Sequence, residues 1–368
     1  MKKQTWKAAV SAAAIAAGAA IQMAANADTL YVTNTIGNVS VTPVSDVKWL
    51  FKIDTSDKKA YPGTNSSGAP NGSWESNTAL ALDPQKTVTI PRSVTVDGVT
   101  YPITEIIARA FFNDKTIENV VALDNIETVQ WRSFHGTPIK NVLFKGPNTS
   151  SDGSQPVAWI KPTLSGDWRV FENAKSLKLV IIGPGLKSYY DAWRLSMKSA
   201  SNASILVPDF STTWDALNES TVGGTNNRVV RYGPKSDFGM AMGDTEMTFY
   251  PKNANGLTDV LSWVSTIKSA FGMDARISVT NTIDLTGVTI TPAMVSGVTF
   301  DRLMFSAKTQ AQLNAILDAF PATTPISIDP TGLTEKITIP ETYSNVHVKI
   351  VSGVTIRRTV DGFIITFK

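Results

Sequence analysis

Ile103-Thr-Glu-Ile106 … Ala110-Phe111 and Ile126-Glu-Thr-Val129 … Ser133-Phe134 are two copies of one pattern, set 23 residues apart. The match continues downstream, where Ile117-Glu-Asn-Val120-Val121 corresponds to Ile139-Lys-Asn-Val142-Leu143 at an offset of 22. The one-residue slip falls at Gly136-Thr137-Pro138, where a turn absorbs it. A third copy, Phe171-Glu-Asn-Ala-Lys-Ser-Leu177-Lys-Leu-Val180, matches Phe111-Phe-Asn-Asp-Lys-Thr-Ile117-Glu-Asn-Val120 at a constant offset of 60. Between copies two and three lies a polar insertion, Gly146 to Trp168, rich in Ser, Gly and Pro.

A recurring unit of this length is the signature of a solenoid. Each copy offers a short strand (Glu118 to Ala122, Lys140 to Phe144), a turn, and an aromatic where the chain doubles back. One such coil cannot bury its own apolar edge. Stacking does so, and predicts a ladder of Phe111 over Phe134 over Phe171.

The run Val88-Thr-Ile-Pro91-Arg-Ser-Val94-Thr-Val-Asp-Gly98-Val-Thr-Tyr101-Pro-Ile103-Thr-Glu-Ile106-Ile-Ala-Arg-Ala110-Phe111 resembles the opening unit of BspA-like leucine-rich repeats. Ile205-Leu206-Val207-Pro208 resembles the strand that ends such arrays. The resemblance covers residues 85–215, with Val47 to Tyr61 as a preceding strand pair. The chain departs from the family in having few units, no cysteine at the usual small-residue position, and Ser133 where the second Ala-Phe is expected. The resemblance implies a surface or secreted protein used for contact with other molecules, and it implies no chemistry.

The carboxyl-terminal part repeats on a longer period. Phe271 and Ile277 correspond to Phe320 and Ile326 at an offset of 49, and Ile283-Asp-Leu-Thr-Gly287 to Ile328-Asp-Pro-Thr-Gly332 at 45. Apolar residues at helical spacing precede both, over Leu257 to Ala270 and Thr309 to Phe320. Short strands follow, then Val288 to Pro292 or Ile337 to Pro340. Two helix–strand–strand units of about 47 residues are expected. The expected fold class is β-rich α+β, a short leucine-rich-repeat solenoid followed by a helix/strand repeat region. Its parts are a signal peptide (1–27), a strand-rich cap (28–84), the solenoid (85–217), a linker (218–245) and the helix–strand domain (246–368). The linker rests on Gly223-Gly224, Asn226-Asn227 and Gly233-Pro234.

Lys2, Lys3 and Lys7, an apolar run from Ala8 to Ile21 and the small-x-small site Ala25-Asn26-Ala27 form a secretory signal, giving an exported chain that starts at Asp28. The run is shorter than the roughly 20 residues of a spanning helix. No membrane span is expected in the mature chain. The full sequence has 34 basic and 31 acidic residues; removing three lysines leaves 31 of each. A balanced chain lacks the footprint of a polyanion binder, so nucleic acid is excluded as a general partner. There are no cysteines, which removes thiol chemistry and disulfides alike.

There are two histidines, His135 and His347, and neither neighbours a spaced carboxylate ligand set. His135 reads as a solvated turn residue and His347 as the polar face of a strand. Asp124 and Glu127, the nearest carboxylate pair that a glycoside hydrolase could use, fall at repeat turns. Gly183-Pro184-Gly185 lacks a third glycine, and its proline lacks the N–H of a phosphate cradle. No catalytic residue, cofactor or metal is expected. Trp131 and Trp193 fall at or beside core positions, whereas Trp159 and Trp168 lie in polar surroundings and are the candidate ligand contacts. The expected function is non-enzymatic binding of a protein or glycan outside the cytoplasm. The alternatives are an exported carbohydrate-active enzyme or a structural surface subunit.

Overall fold

The computed structural model describes residues 29–33, 38–62 (without 44, 46 and 48), 86–130, 132–146, 158–160, 170–184, 186–188, 197–209, 214–215, 217–359 and 362–367. Residues 1–27, expected from the sequence to be a secretory signal, lie outside these residues. The chain is strand-rich with few helices, a β-rich α+β protein, and divides into two compact units. The first comprises Met1–Ile205 and Thr213–Val229, the second Leu206–Thr212 and Val230–Lys368.

In the first unit, Thr87–Ile90, Asn119–Ala122, Asn141–Phe144 and Leu179–Ile182 lie parallel, with Val88, Val120, Val142 and Val180 in one register row. The β-branched runs give these segments their extended form. A second parallel sheet joins Glu105–Ile106, Thr128–Val129, Ala158–Ile160 and Leu186–Ser188. Turns connecting the two sheets bond to one another from layer to layer. Phe111 N donates to Ser133 O (2.8 Å), Asn113 N to His135 O (2.8 Å) and Phe134 N to Val170 O (3.2 Å). This register stacks Phe111 on Phe134 at 5.1 Å and 6°, and Phe134 on Phe171 at 5.7 Å and 19°. Trp49 closes the first ring edge-on at 6.4 Å. The expected ladder is present.

Several polar side chains inside the stack bond to their neighbours. Ser133, fully buried where the first copy has Ala110, donates its hydroxyl to the Gln130 carbonyl of its own turn at 2.5 Å, with the Ile107 carbonyl of the adjoining layer 3.3 Å away. Asn141 Nδ2 donates to Asn119 Oδ1 (2.7 Å), and Asn119 Nδ2 to Thr87 Oγ1 (2.9 Å). Such pairing offsets the desolvation cost of the buried amide donors, while Asn141 Oδ1 is buried without a hydrogen-bond partner among the described residues. Both faces of the inner strands are closed, since Val121, Leu143 and Ile181 are as buried as Val120, Val142 and Val180.

Residues 218–245 are not a linker. They form the helix Glu219–Val222 and the strands Arg228–Tyr232 and Phe238–Met242. Within the first unit, buried Asn227 donates to the carbonyls of Met197 (3.0 Å) and Gly223 (2.7 Å) and accepts from Ala203 N (2.9 Å). The glycine pairs mark turns between short elements, not an open spacer.

The second unit is built on one mixed sheet. Phe238–Met242 pairs antiparallel with Glu246–Pro251, and Asp274–Ser278, Thr299–Ser306, Ile326–Asp329 and Val346–Val348 follow in parallel. The helix Ala254–Phe271, capped by the Asn253 side chain, buries Leu257, Val260, Leu261, Val264 and Ile267. Gln310–Ala319, capped by Thr309, buries Leu313, Ile316 and Leu317. Both helices lie where the sequence predicts them. The two strands expected to correspond at an offset of 49 are not neighbours, because Thr299–Ser306 lies between them. Ile277 pairs with Phe300 and Leu303 with Ile326, each 23 residues on. Val288 to Pro292 forms no strand, and a helical turn starts at Pro292. Ile337–Pro340 does form one, in a separate antiparallel sheet with Gly362–Phe367 and Val354–Thr359.

Phe134 is fully buried between two rings. Phe134→Ala is expected to destabilise the first unit by about 3–5 kcal/mol. Urea denaturation read by tryptophan fluorescence checks this, and a loss below about 0.5 kcal/mol, the scale of a neutral surface change, would contradict the stacking.

Candidate functional site

The two candidate tryptophans are placed unequally. Trp159 belongs to the strand Ala158–Ile160, where it pairs with Thr128 on one side and Lys187 on the other. The segment Gly146 to Trp168 is therefore not wholly a loop, because its middle supplies a sheet strand of the third layer. The Trp159 side chain, and Trp168, Trp131 and Trp193, lie outside the described residues.

What the described residues bring together is a cluster on the turns between the two sheets. His135 stacks on Phe112 with ring centres 4.6 Å apart and planes 11° from parallel. Its Nδ1 lies 3.2 Å from Glu172 Oε2, which also accepts from Arg132 Nε at 2.9 Å. Asn173 Nδ2 lies 3.3 Å from His135 Nε2. An amide can only donate there, so Nε2 accepts and the Nδ1–H donates to Glu172. The Arg109 guanidinium sits over the Phe112 ring at 5.6 Å. The cluster thus draws one or two side chains from each of three successive layers.

Local backbone geometry positions these groups. Two residues past each ladder phenylalanine stands a left-handed residue, Asn113 (φ 57°), Gly136 (φ 66°) or Asn173 (φ 61°), of the types that adopt it readily. A Cβ on Gly136 would fall 2.2 Å from Asn113 Oδ1. The first left-handed residue of the turn is an arginine, Arg109 (φ 61°) and Arg132 (φ 51°).

His135 is not the solvated residue expected, for its side chain is 13% exposed. Burial, reinforced by Arg132 and Arg109 and only partly opposed by Glu172, holds its pKa below the ordinary value. That favours the neutral tautomer which the hydrogen bonds require. The bonds of the cluster run between layers, from Arg132 and His135 to Glu172 and from Asn173 to His135.

Other candidates resolve into structural roles. Asp124 accepts from Arg92 at 2.7 and 3.0 Å, Glu127 is exposed, and His347 is exposed on its strand as expected. Gly183 is required for packing: a Cβ there would lie 1.7 Å from the Lys145 carbonyl oxygen. Buried Asp329 accepts from Thr331 N (3.0 Å), Thr282 Oγ1 (3.0 Å) and Lys349 Nζ (2.8 Å). Burial pushes its pKa up, but the bonds from Lys349, Thr331 and Thr282 outweigh this and hold it far below the usual carboxylate range. No group of three or more metal-ligating side chains occurs among the described residues. No helix among them is long and apolar enough to cross a membrane.

Two measurements test these assignments. Asp329→Ala removes four bonds to a charged group, two from its own turn and two from other segments, and is expected to lower stability by about 2–3 kcal/mol at pH 7, read as a urea midpoint. His135 gives an acid dependence, because the unfolded chain takes up the proton at a higher pH than the folded one. Its contribution is complete above about pH 6.5 and falls as the pH is lowered through the depressed folded value. The urea midpoint of the native chain should drop between pH 7.5 and 5.5 more than that of His135→Gln. Equal drops would place the titration elsewhere.

No family model matches the chain, and no curated protein matches it. Among solved structures the chain is similar to the crystal structure of a leucine rich cell surface protein from Faecalibacterium prausnitzii A2-165, at 13% identity and a TM-score of 0.25, over 84% of this chain and 95% of that one.

Proposed function

We propose that this chain is an exported, non-enzymatic binding protein whose first unit is a short leucine-rich-repeat solenoid presenting its turns to a protein or glycan partner. The observation that carries the reading is the layer register. Strands and turns 22–23 residues apart lie parallel and bond directly, with Phe111 and Phe134 stacked between them. Arrays of this kind recognise partners along an extended surface made of many small contributions, one per layer. The BspA-like motifs at Val88 to Phe111 and the secretory pattern of residues 1–27 support the same reading.

The turns are favoured over the strands as the contact surface. Val121, Leu143 and Ile181 leave the inner strands no open face, whereas Asn113, Lys115, Asn173, Lys175 and Lys198 on the turns are exposed. A hydrolase would need two carboxylates facing each other across about 5–10 Å. Asp114 is instead bonded into its own turn, Asp124 to Arg92 and Glu172 to Arg132, which supports binding over hydrolysis.

The test is a screen of residues 28–368 against immobilised glycans and extracellular proteins, with reducing-end release measured on every glycan. Saturable binding without turnover is the expected outcome. Hydrolysis abolished by substituting a carboxylate would overturn the non-enzymatic reading, and ordered polymers without ligand binding would favour a structural subunit.

A further inference from the structure

The arginines on the turn edge are local exceptions on two counts. The left-handed backbone disfavours a side chain with a Cβ, and the second such position of each turn carries asparagine or glycine as expected. Arg109 and Arg132 nevertheless hold φ of 61° and 51°. They also occupy the same place in adjoining layers, and the burial of Arg109 together with repulsion from Arg132 lowers its pKa. The sequence repeats the choice in the third copy, where Arg169 stands two residues before Phe171 as Arg109 does before Phe111 and Arg132 before Phe134. Residues that contradict both backbone preference and mutual electrostatics are expected where function fixes them.

The surrounding charge points the same way. The described turn residues 107–116, 130–137, 170–176 and 197–202 carry Arg109, Lys115, Arg132, Lys175 and Lys198 against Asp114 and Glu172. Lys115, Lys175 and Lys198 are exposed. Asp114 is consumed by bonds to Thr116 N, Thr116 Oγ1 and Ile117 N, and Glu172 by Arg132 and His135. In a mature chain with equal numbers of acids and bases, positive charge is concentrated along one edge. Glu172 also shows what the edge accepts: a planar carboxylate between a guanidinium and an imidazole, beside the flat Phe112–His135 stack.

We infer that this turn edge binds an acidic polysaccharide, its uronate carboxylates meeting Arg109 and the exposed lysines of the turns. The inference rests on the reading of the chain as a binding protein and names the ligand class for its turns. A polymer lying along the stack gains contacts layer by layer and brings the negative charge that the arginine row favours.

The experiment titrates residues 28–368 by calorimetry with a hexameric oligogalacturonate, a neutral hexasaccharide, hexaglutamate and a single-stranded oligonucleotide. The oligouronide should bind, more weakly as salt rises, and the neutral sugar should not. Arg109→Asn suits the left-handed backbone, so it should fold with an unchanged or higher urea midpoint while weakening oligouronide binding about tenfold, the effect of one charged contact of about 1.4 kcal/mol. Adding Lys175→Gln should weaken it further. Absent oligouronide binding, or binding unchanged in Arg109→Asn, overturns the inference. Equal affinity for hexaglutamate or the oligonucleotide overturns the glycan assignment in favour of a general anion surface. A neutral glycan or protein found in the broader screen would leave the binding-protein reading standing while this inference falls.

Discussion

An aromatic ring has two faces, and both faces of Phe134 are covered by rings from the layers on either side. That arrangement sets the conditions for the rest of the first unit. A coil of 22 or 23 residues is too small to enclose a core, so each layer completes its neighbour's core instead of its own. For the rings to meet, the turns must stack in register, and the amide-to-carbonyl bonds between turns fix that register. The parallel strands follow from the same constraint, since a chain that returns to the same place after every turn runs in the same direction each time. Stability is then carried chiefly by interfaces between layers, and a fault in one layer weakens two of them.

Polar side chains obey the same logic. Asn119 and Asn141 form a ladder because equivalent positions lie one above another, where each amide can serve the next. Ser133 shows how a departure is accommodated: a hydroxyl in an alanine position is tolerated because the Gln130 carbonyl of its own turn accepts its proton. In the second unit Asp329 draws bonds from the loop after one strand, from its own turn and from the residue following another. A single carboxylate there couples segments that sequence distance keeps apart. Its depressed pKa reflects how much of its charge these bonds absorb.

The first unit was largely legible in the sequence because its period is marked by large buried residues, whose spacing is conspicuous. The second was legible in its helices but not in its strand order. Thr299–Ser306 pairs between Asp274–Ser278 and Ile326–Asp329, yet its Thr299, Asp301 and Arg302 are exposed, so its composition hides its place. The period of 49 is two layers of about 23–26 residues with an inconspicuous middle one. The supposed linker was misread for a related reason: turn residues were plain, and the short strands between them were not. Of the candidate site, the sequence singled out tryptophans, whereas the structure brought together Phe112, Arg132, His135 and Glu172. The recurrence of arginine two residues before each ladder phenylalanine was the available signal. It is visible only once the turns are known to stack.

The strand Ala158–Ile160 has a consequence for how this chain can change. From Ala122 to Thr128 the path between the two sheets takes six residues, whereas from Phe144 to Trp159 it takes fifteen. From Thr128 to the ladder phenylalanine takes six, and from Trp159 to Phe171 twelve. The third layer's extra length is thus divided into two spans by a fixed post. Because closing a longer span costs only about 0.6 kcal/mol per doubling, either can lengthen or shorten while the post and the ring beyond it keep their places. A change of length in either span stays within its own storey of the stack, and new surface can be tried there without rebuilding the floors above and below.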